Sequence, residues 1–136
     1  MEEDPELERI KRKMLMKMQG EGKNAAQKRF DITILDSNNF QQTITSGKPV
    51  LVDYYADWCG PCRFMEPVFE KVASKYAGKV VFARINVDQN PQIASEYGVF
   101  SIPTFILFDG GKPVNRVVGA VPENTLTELV TKTVGS

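Results

Sequence analysis

A nearly continuous apolar run from Val50 to Tyr55 leads into the segment Trp58-Cys59-Gly60-Pro61-Cys62. An apolar run of this length is typical of a parallel strand that is buried on both faces. The residues after Cys62 form one apolar face at helical spacing: Met65, Val68, Phe69, Val72 and Tyr76. A strand that is buried on both faces needs other elements on each side of its sheet. This feature therefore restricts the chain to an α/β arrangement.

Strand and helix patterns continue to alternate through the rest of the chain. Strand patterns cover Phe30 to Leu35, Val80 to Val87, Thr104 to Phe108 and Val114 to Val118. Helices are predicted after Asp36-Ser37, from Asn90-Pro91 to Gly98, and around Leu126, Leu129 and Val130. The turn Asp109-Gly110-Gly111 makes the last two strands an antiparallel hairpin. We predict an α/β domain over residues 29–136, with a central mixed β-sheet and helices on both faces.

Residues 1–28 differ from this pattern and are predicted to form a helical or flexible extension. Asp4 can cap a helix, and Gly20 to Asn24 has the composition of a flexible linker. The intervening helical face is apolar and consists of Leu7, Ile10, Met14 and Met18. A basic patch, Lys11-Arg12-Lys13, accompanies it. The extension could be a solvated or weakly docked helix, a partner-binding segment, or a contact with membrane or nucleic acid.

The chain contains two cysteines and no histidine, and its formal net charge is zero. The missing histidine excludes Ser-His-Asp and Cys-His enzymes and every imidazole-based zinc site. Zero net charge gives no general attraction to nucleic acid. No apolar run is long enough to span a membrane, and Met14-Leu15-Met16 is too short for a signal-peptide core. We therefore expect a cytoplasmic monomer that binds neither membrane nor nucleic acid.

The position of the two cysteines predicts their chemistry. Cys59 should lie at the N-terminus of a helix, where unpaired N–H groups and the helix dipole favour the reactive thiolate. Cys62 follows one turn later on the same side, within disulfide reach of Cys59. A CxxC pair beside a βαβ pattern favours a redox pair. Half of a zinc site, an inert structural disulfide and two buried cysteines without function remain as alternatives.

The run from Val52 to Cys62 closely resembles the active-site segment of the thioredoxin family. The resemblance continues through Asn86 to Pro91, Ile102-Pro103-Thr104 and Val118-Gly119-Ala120, in the expected order. It implies a thioredoxin fold and a cofactor-free, metal-free reductase of protein disulfides, with Cys59 as nucleophile and Cys62 as resolving cysteine. It also implies two kinds of partner, namely disulfide-containing target proteins and a thioredoxin reductase or an equivalent electron donor. The alternatives are a disulfide oxidase or isomerase, and a binding module that acts through the extension.

The same resemblance assigns roles to residues outside the cysteine pair. Asp53 would accept the proton of Cys62, and burial would raise its pKa; otherwise it would reach solvent from the end of its strand. Arg84, where many thioredoxins carry lysine, would either lower the pKa of Asp53 or point to solvent. Pro103 would be cis, face the disulfide and, beside Ile102, contribute to substrate binding. The flat apolar docking surface for target proteins would comprise Trp58, Gly60, Pro61, Ile102, Gly119 and Ala120.

Overall fold

The computed structural model describes residues 32–135, and the predicted extension over residues 1–28 lies outside this range. Five strands and four helices occur in the described part of the chain. In chain order they are β1 (Ile32–Leu35), α1 (Phe40–Ile44), β2 (Val50–Tyr55), α2 (Gly60–Tyr76), β3 (Val81–Asn86), α3 (Pro91–Glu96), β4 (Thr104–Asp109), β5 (Lys112–Val118) and α4 (Glu123–Val134). None of these four helices has both the length and the apolar character needed to cross a membrane.

The five strands form one mixed sheet in the order β1-β3-β2-β4-β5. Strand β3 pairs in parallel with both β1 and β2, while β4 runs antiparallel to β2 and to β5. The central strand β2 is buried along almost its whole length, as its continuous apolar sequence predicts. The mixed sheet and the antiparallel β4–β5 hairpin confirm the fold class predicted from the sequence.

Helices cover both faces of this sheet. On one face, Val52 and Tyr54 pack in a core cluster with Phe40 of α1 and Ala94 of α3. On the other face, the Phe69 ring of α2 lies 5.9 Å from that of Phe105 in β4. Helix α4 lies beside α2, joined by a 2.8 Å ion pair between Lys75 Nζ and Glu123 Oε2. The side chains on the two faces of β2 therefore pack in two different apolar layers.

The register places Asp53 on the face that α2 covers. Asp53 pairs with Arg84 across the parallel ladder and with Phe105 across the antiparallel one. Residues directly opposite each other in a sheet project to the same side. Asp53 and Arg84 thus lie under α2, the helix that carries Cys62.

Two local predictions differ from the structure. Helix α1 begins at Phe40 rather than directly after Asp36-Ser37, because Asp36 Oδ1 first accepts hydrogen bonds from Asn38 N (2.8 Å) and Asn39 N (3.2 Å) in a turn. In β1, Ile34 is 59% exposed while Leu35 is buried. The sequence places Ile32 and Ile34 on one face of this strand at period-2 spacing and so predicts that this face is the core side, but the exposure of Ile34 shows that it is not.

Candidate active site

Cys59 caps the N-terminus of α2. Its backbone is extended (φ −87°, ψ 111°), and the Cys62 N–H donates a hydrogen bond to its Sγ at 3.1 Å. Pro61 lies in the first turn, where its missing N–H leaves no helical hydrogen bond unmade. The sulfur of Cys59 thus receives one of the unpaired N–H groups at the helix end. The same contact would stabilise a thiolate after reduction.

Cys59 and Cys62 form a disulfide whose Cα atoms are 5.2 Å apart. Their residues are only 3% and 1% exposed, respectively. A bonded pair is not a pair of independent buried cysteines. Of the alternatives that the sequence left open, the redox pair and the inert structural disulfide agree with this geometry.

The loop before β4 lies against the disulfide. The Ile102–Pro103 peptide bond is cis, as the family resemblance implied. The carbonyl oxygen of Ile102 is 4.0 Å from Cys59 Sγ, and Pro103 is buried. The Gly119 N–H, just beyond β5, donates a 2.7 Å hydrogen bond to the Pro103 carbonyl. The ends of α2, β4 and β5 thereby meet at the disulfide.

A groove of about 490 Å³ opens beside Cys59. Nine of the described residues line it: Trp58, Cys59, Gly60, Pro61, Val87, Val99, Phe100, Ser101 and Ile102. Four of the six predicted docking residues are among them, whereas Gly119 and Ala120 are not. Gly119 instead contacts Pro103 through the hydrogen bond from its N–H to the Pro103 carbonyl. Trp58 is 68% exposed, and its Nε1 donates a 2.8 Å hydrogen bond to Asp88 Oδ2.

Asp53 is buried in β2 and is only 1% exposed, so it does not reach solvent. Its Oδ2 accepts a 3.1 Å hydrogen bond from Arg84 Nε. Within the described residues, its Oδ1 has no hydrogen-bond partner. Burial raises the pKa of Asp53 to about 6, although the charge and hydrogen bond of Arg84 lower it. Desolvation therefore outweighs the ion pair with Arg84 in setting the pKa of Asp53.

Arg84 contacts three side chains of the described range rather than pointing to solvent. Besides Asp53, its guanidinium lies 4.0 Å from the centre of the Tyr55 ring, in cation–π contact. Its Nη2 is 3.4 Å from Glu66 Oε2 of α2, which is an ion pair rather than a well-aligned hydrogen bond. Tyr55 therefore supports Arg84 as well as packing below the active-site loop.

Comparison with known proteins decides between the two remaining interpretations of the disulfide. The thioredoxin family profile matches residues 31–132. The chain belongs to the thioredoxin family. A thioredoxin from Alicyclobacillus acidocaldarius is 53% identical over 95 residues, which are 70% of this chain and 90% of that protein. The solved structure of a mutant thioredoxin from Halobacterium salinarum has a TM-score of 0.69 at 36% identity, covering 76% of this chain and 90% of its own.

A third relative joins two proteins in one chain. The bifunctional thioredoxin reductase/thioredoxin of Mycobacterium leprae is 49% identical over 89 residues, which are 65% of this chain and 19% of that protein. The family membership and the paired cysteines together make this chain a thiol–disulfide oxidoreductase that reduces protein disulfides. The disulfide of this thioredoxin-family chain is consequently a redox centre rather than an inert crosslink.

Among the residues near the thioredoxin site that were not anticipated from the sequence, three make informative contacts. Phe100 lines the groove, Asp88 holds the Trp58 indole, and Glu66 contacts Arg84. A signal was present for Glu66, because it follows Cys62 by four residues and so shares its helix face. No such signal marked Phe100, since an isolated apolar residue before a strand is equally typical of a core.

Proposed function

We propose that Cys59 is the nucleophile and Cys62 the resolving cysteine of this reductase. The observation that carries the proposal is the hydrogen bond from the Cys62 N–H to Cys59 Sγ at the start of α2. A donor and a helix dipole directed at one sulfur favour its thiolate over that of the other. Cys59 also lines the groove, whereas Cys62 does not.

In the forward reaction, the Cys59 thiolate attacks one sulfur of a target disulfide. The target S–S bond breaks, a Cys59–target disulfide forms, and the other target sulfur leaves as a thiolate and takes up a proton. Cys62 then loses its proton, for which Asp53 is the proposed acceptor, and attacks the Cys59 sulfur. The target leaves with both sulfurs reduced, and the Cys59–Cys62 disulfide holds the oxidised state.

The proposed partners are disulfide-containing target proteins and a thioredoxin reductase that returns two electrons to the Cys59–Cys62 pair. The Mycobacterium leprae relative, whose name joins a reductase and a thioredoxin, supports the second partner. We further propose a monomer in the cytoplasm, where thiols are kept reduced. The family match begins at residue 31, which supports assigning residues 1–28 to a separate extension.

Two cysteine variants test the assignment of roles. Cys59→Ser should abolish reduction of a protein disulfide, because no thiolate remains to start the exchange. Cys62→Ser should instead accumulate a covalent mixed disulfide that mass spectrometry detects, because the second displacement is missing. Alkylation of the reduced wild-type protein near pH 7 provides an independent measurement, with Cys59 labelled first. Faster labelling of Cys62 would reverse the assignment.

A further inference from the structure

Phe100 is an exposed aromatic residue at the redox groove. It is 89% exposed, which is the highest value among the large apolar side chains of the described range. Leaving a phenylalanine in water forgoes the stabilisation that burial would provide. Because Phe100 also lines the groove that contains Cys59, its exposed ring is accessible to a molecule that occupies the groove.

The described residues that line the groove include no charged side chain. They are apolar and aromatic residues, glycine, proline, the cysteine and one serine. Two acidic residues adjoin this lining in sequence: Asp57 precedes Trp58, and Asp88 follows Val87 and accepts a hydrogen bond from Trp58 through Oδ2. A charged side chain of a bound target would therefore lose water here without gaining an opposite charge from this lining. An apolar or aromatic side chain would lose nothing by the same transfer.

The position of Phe100 relative to the reacting sulfur limits which target residue it can meet. Ile102 O is 4.0 Å from Cys59 Sγ, and Phe100 precedes Ile102 by two residues. Two residues span at most about 7 Å of chain. A target held with its disulfide at Cys59 therefore brings residues within about three positions of its attacked cysteine to Phe100.

We propose that Phe100 selects target proteins whose attacked cysteine is flanked, within about three residues, by an aromatic or large apolar side chain. Targets with charged residues at the same positions are disfavoured. This inference rests on the proposed function, because the occupant of the groove is the target segment that carries the disulfide. It adds a substrate class that depends on one side chain outside the cysteine motif.

A competition between matched peptides tests the proposal. Three disulfide-linked peptides are identical except at one position, two residues from the attacked cysteine. At that position they carry Phe, Glu or Lys. Their kcat/KM values are measured with the full-length wild-type chain, with Phe100→Ser and with Phe64→Ser. Phe64 is the matched control, because it is 69% exposed on α2 but does not line the groove.

The wild type should prefer the Phe peptide over both charged peptides by about two- to tenfold, the range expected for one aromatic pair. Phe100→Ser should lower this ratio, with any remaining preference coming from the rest of the apolar lining, and Phe64→Ser should leave it unchanged; an unchanged ratio in Phe100→Ser would contradict the proposal. Because Phe100 is exposed, its replacement should leave the melting temperature nearly unaltered, which circular dichroism verifies. Loss of preference in Phe64→Ser as well, or no preference in the wild type, would overturn the proposal.

Two further outcomes separate this inference from the proposed function. Reduction of the small uncharged disulfide bis(2-hydroxyethyl) disulfide reports on Cys59 and Cys62 without involving a flanking residue. If the wild type reduces it but shows no peptide preference, only the role of Phe100 fails. If the wild type does not reduce it, the proposed function fails. If Phe100→Ser accelerates all peptides equally, the Phe100 side chain hinders access to Cys59 instead of selecting targets, and the target-selecting role is wrong.

Discussion

Two regions adjoin the redox disulfide, and each reverses the usual distribution of polar and apolar residues. Beneath α2, the charged residues Asp53 and Arg84 are 1% and 16% exposed in their side chains. Beside Cys59, the apolar residues Trp58 and Phe100 are 68% and 89% exposed. Charged groups are rarely buried and large apolar groups are normally buried, so both regions are less stable than a conventional arrangement.

The two regions differ because the proposed reaction has two requirements, a proton acceptor and a surface that binds the target. In the proposed reaction, Asp53 takes the proton of Cys62, and burial raises the pKa of this carboxyl to about 6, which suits proton transfer near pH 7. The proposed target segment binds the groove, whose apolar surface is open to a partner. Sites of this kind are where a protein departs from the rules that its core obeys.

The largest effect in the buried region is expected from Asp53→Asn. The wild-type carboxyl has a folded pKa of about 6 against an ordinary value of 3.8. Because the folded value is the higher one, the folded state loses stability as pH rises from 3.8 to about 6. That difference corresponds to about 3 kcal/mol. Asparagine retains a side-chain oxygen that can accept the hydrogen bond from Arg84 Nε, but its side chain does not titrate.

Urea unfolding of the oxidised protein between pH 4 and pH 7 measures this effect. The free energy of unfolding of Asp53→Asn, relative to wild type, should increase over that interval and level off above it. If Asp53 is the proton acceptor of Cys62, as proposed, the variant should also lose the part of turnover that rises through pH 6. A pH-independent difference between the two proteins would show that the ion pair with Arg84 cancels the effect of burial.

Arg84→Met is expected to have an intermediate effect, which is to raise the pKa of Asp53 further. Methionine preserves much of the apolar packing on Tyr55 but removes the charge and the hydrogen bond that lower the pKa of Asp53. The Asp53 titration, followed by the carboxyl carbon-13 shift in NMR, should therefore move to higher pH. Opposite charges in contact typically account for about 1–3 pKa units. Arg84→Lys, as the matched control, should move it less, and an acidic shift in Arg84→Met would contradict the ion-pair geometry.

The sequence predicted one of these regions better than the other. The apolar run Val50 to Tyr55 has the bounds of β2, and the strand–CxxC–helix order located Cys59 at the start of α2. Besides the family resemblance, the sequence itself marks Asp53, because a carboxylate within an apolar run conflicts with its surroundings. Phe100 produced no such conflict, since its exposure depends on how the loop before β4 meets α2. Sequence patterns reveal polar residues in apolar runs, whereas an exposed apolar residue becomes evident only from the tertiary structure.

The smallest effect is expected from Glu66→Gln, which changes the environment of Asp53 through Arg84. Glu66 Oε2 is 3.4 Å from Arg84 Nη2, and its negative charge raises the pKa of Asp53. Removing that charge should shift the Asp53 titration to lower pH, by less than about half a unit because surface charges are screened. The Glu66 side chain is 43% exposed, so the shift should shrink further in high salt.

Glu70→Gln is the matched control, because Glu70 lies one turn further along α2 and is exposed. It removes the same charge from the same helix and should leave the Asp53 titration in place. The direction of the Glu66→Gln shift distinguishes two roles for Glu66. An acidic shift means that Glu66 repels Asp53 and competes with it for Arg84. An alkaline shift would mean that Glu66 chiefly holds Arg84 against Asp53, so that the buried pair depends on a partly exposed carboxylate for its geometry.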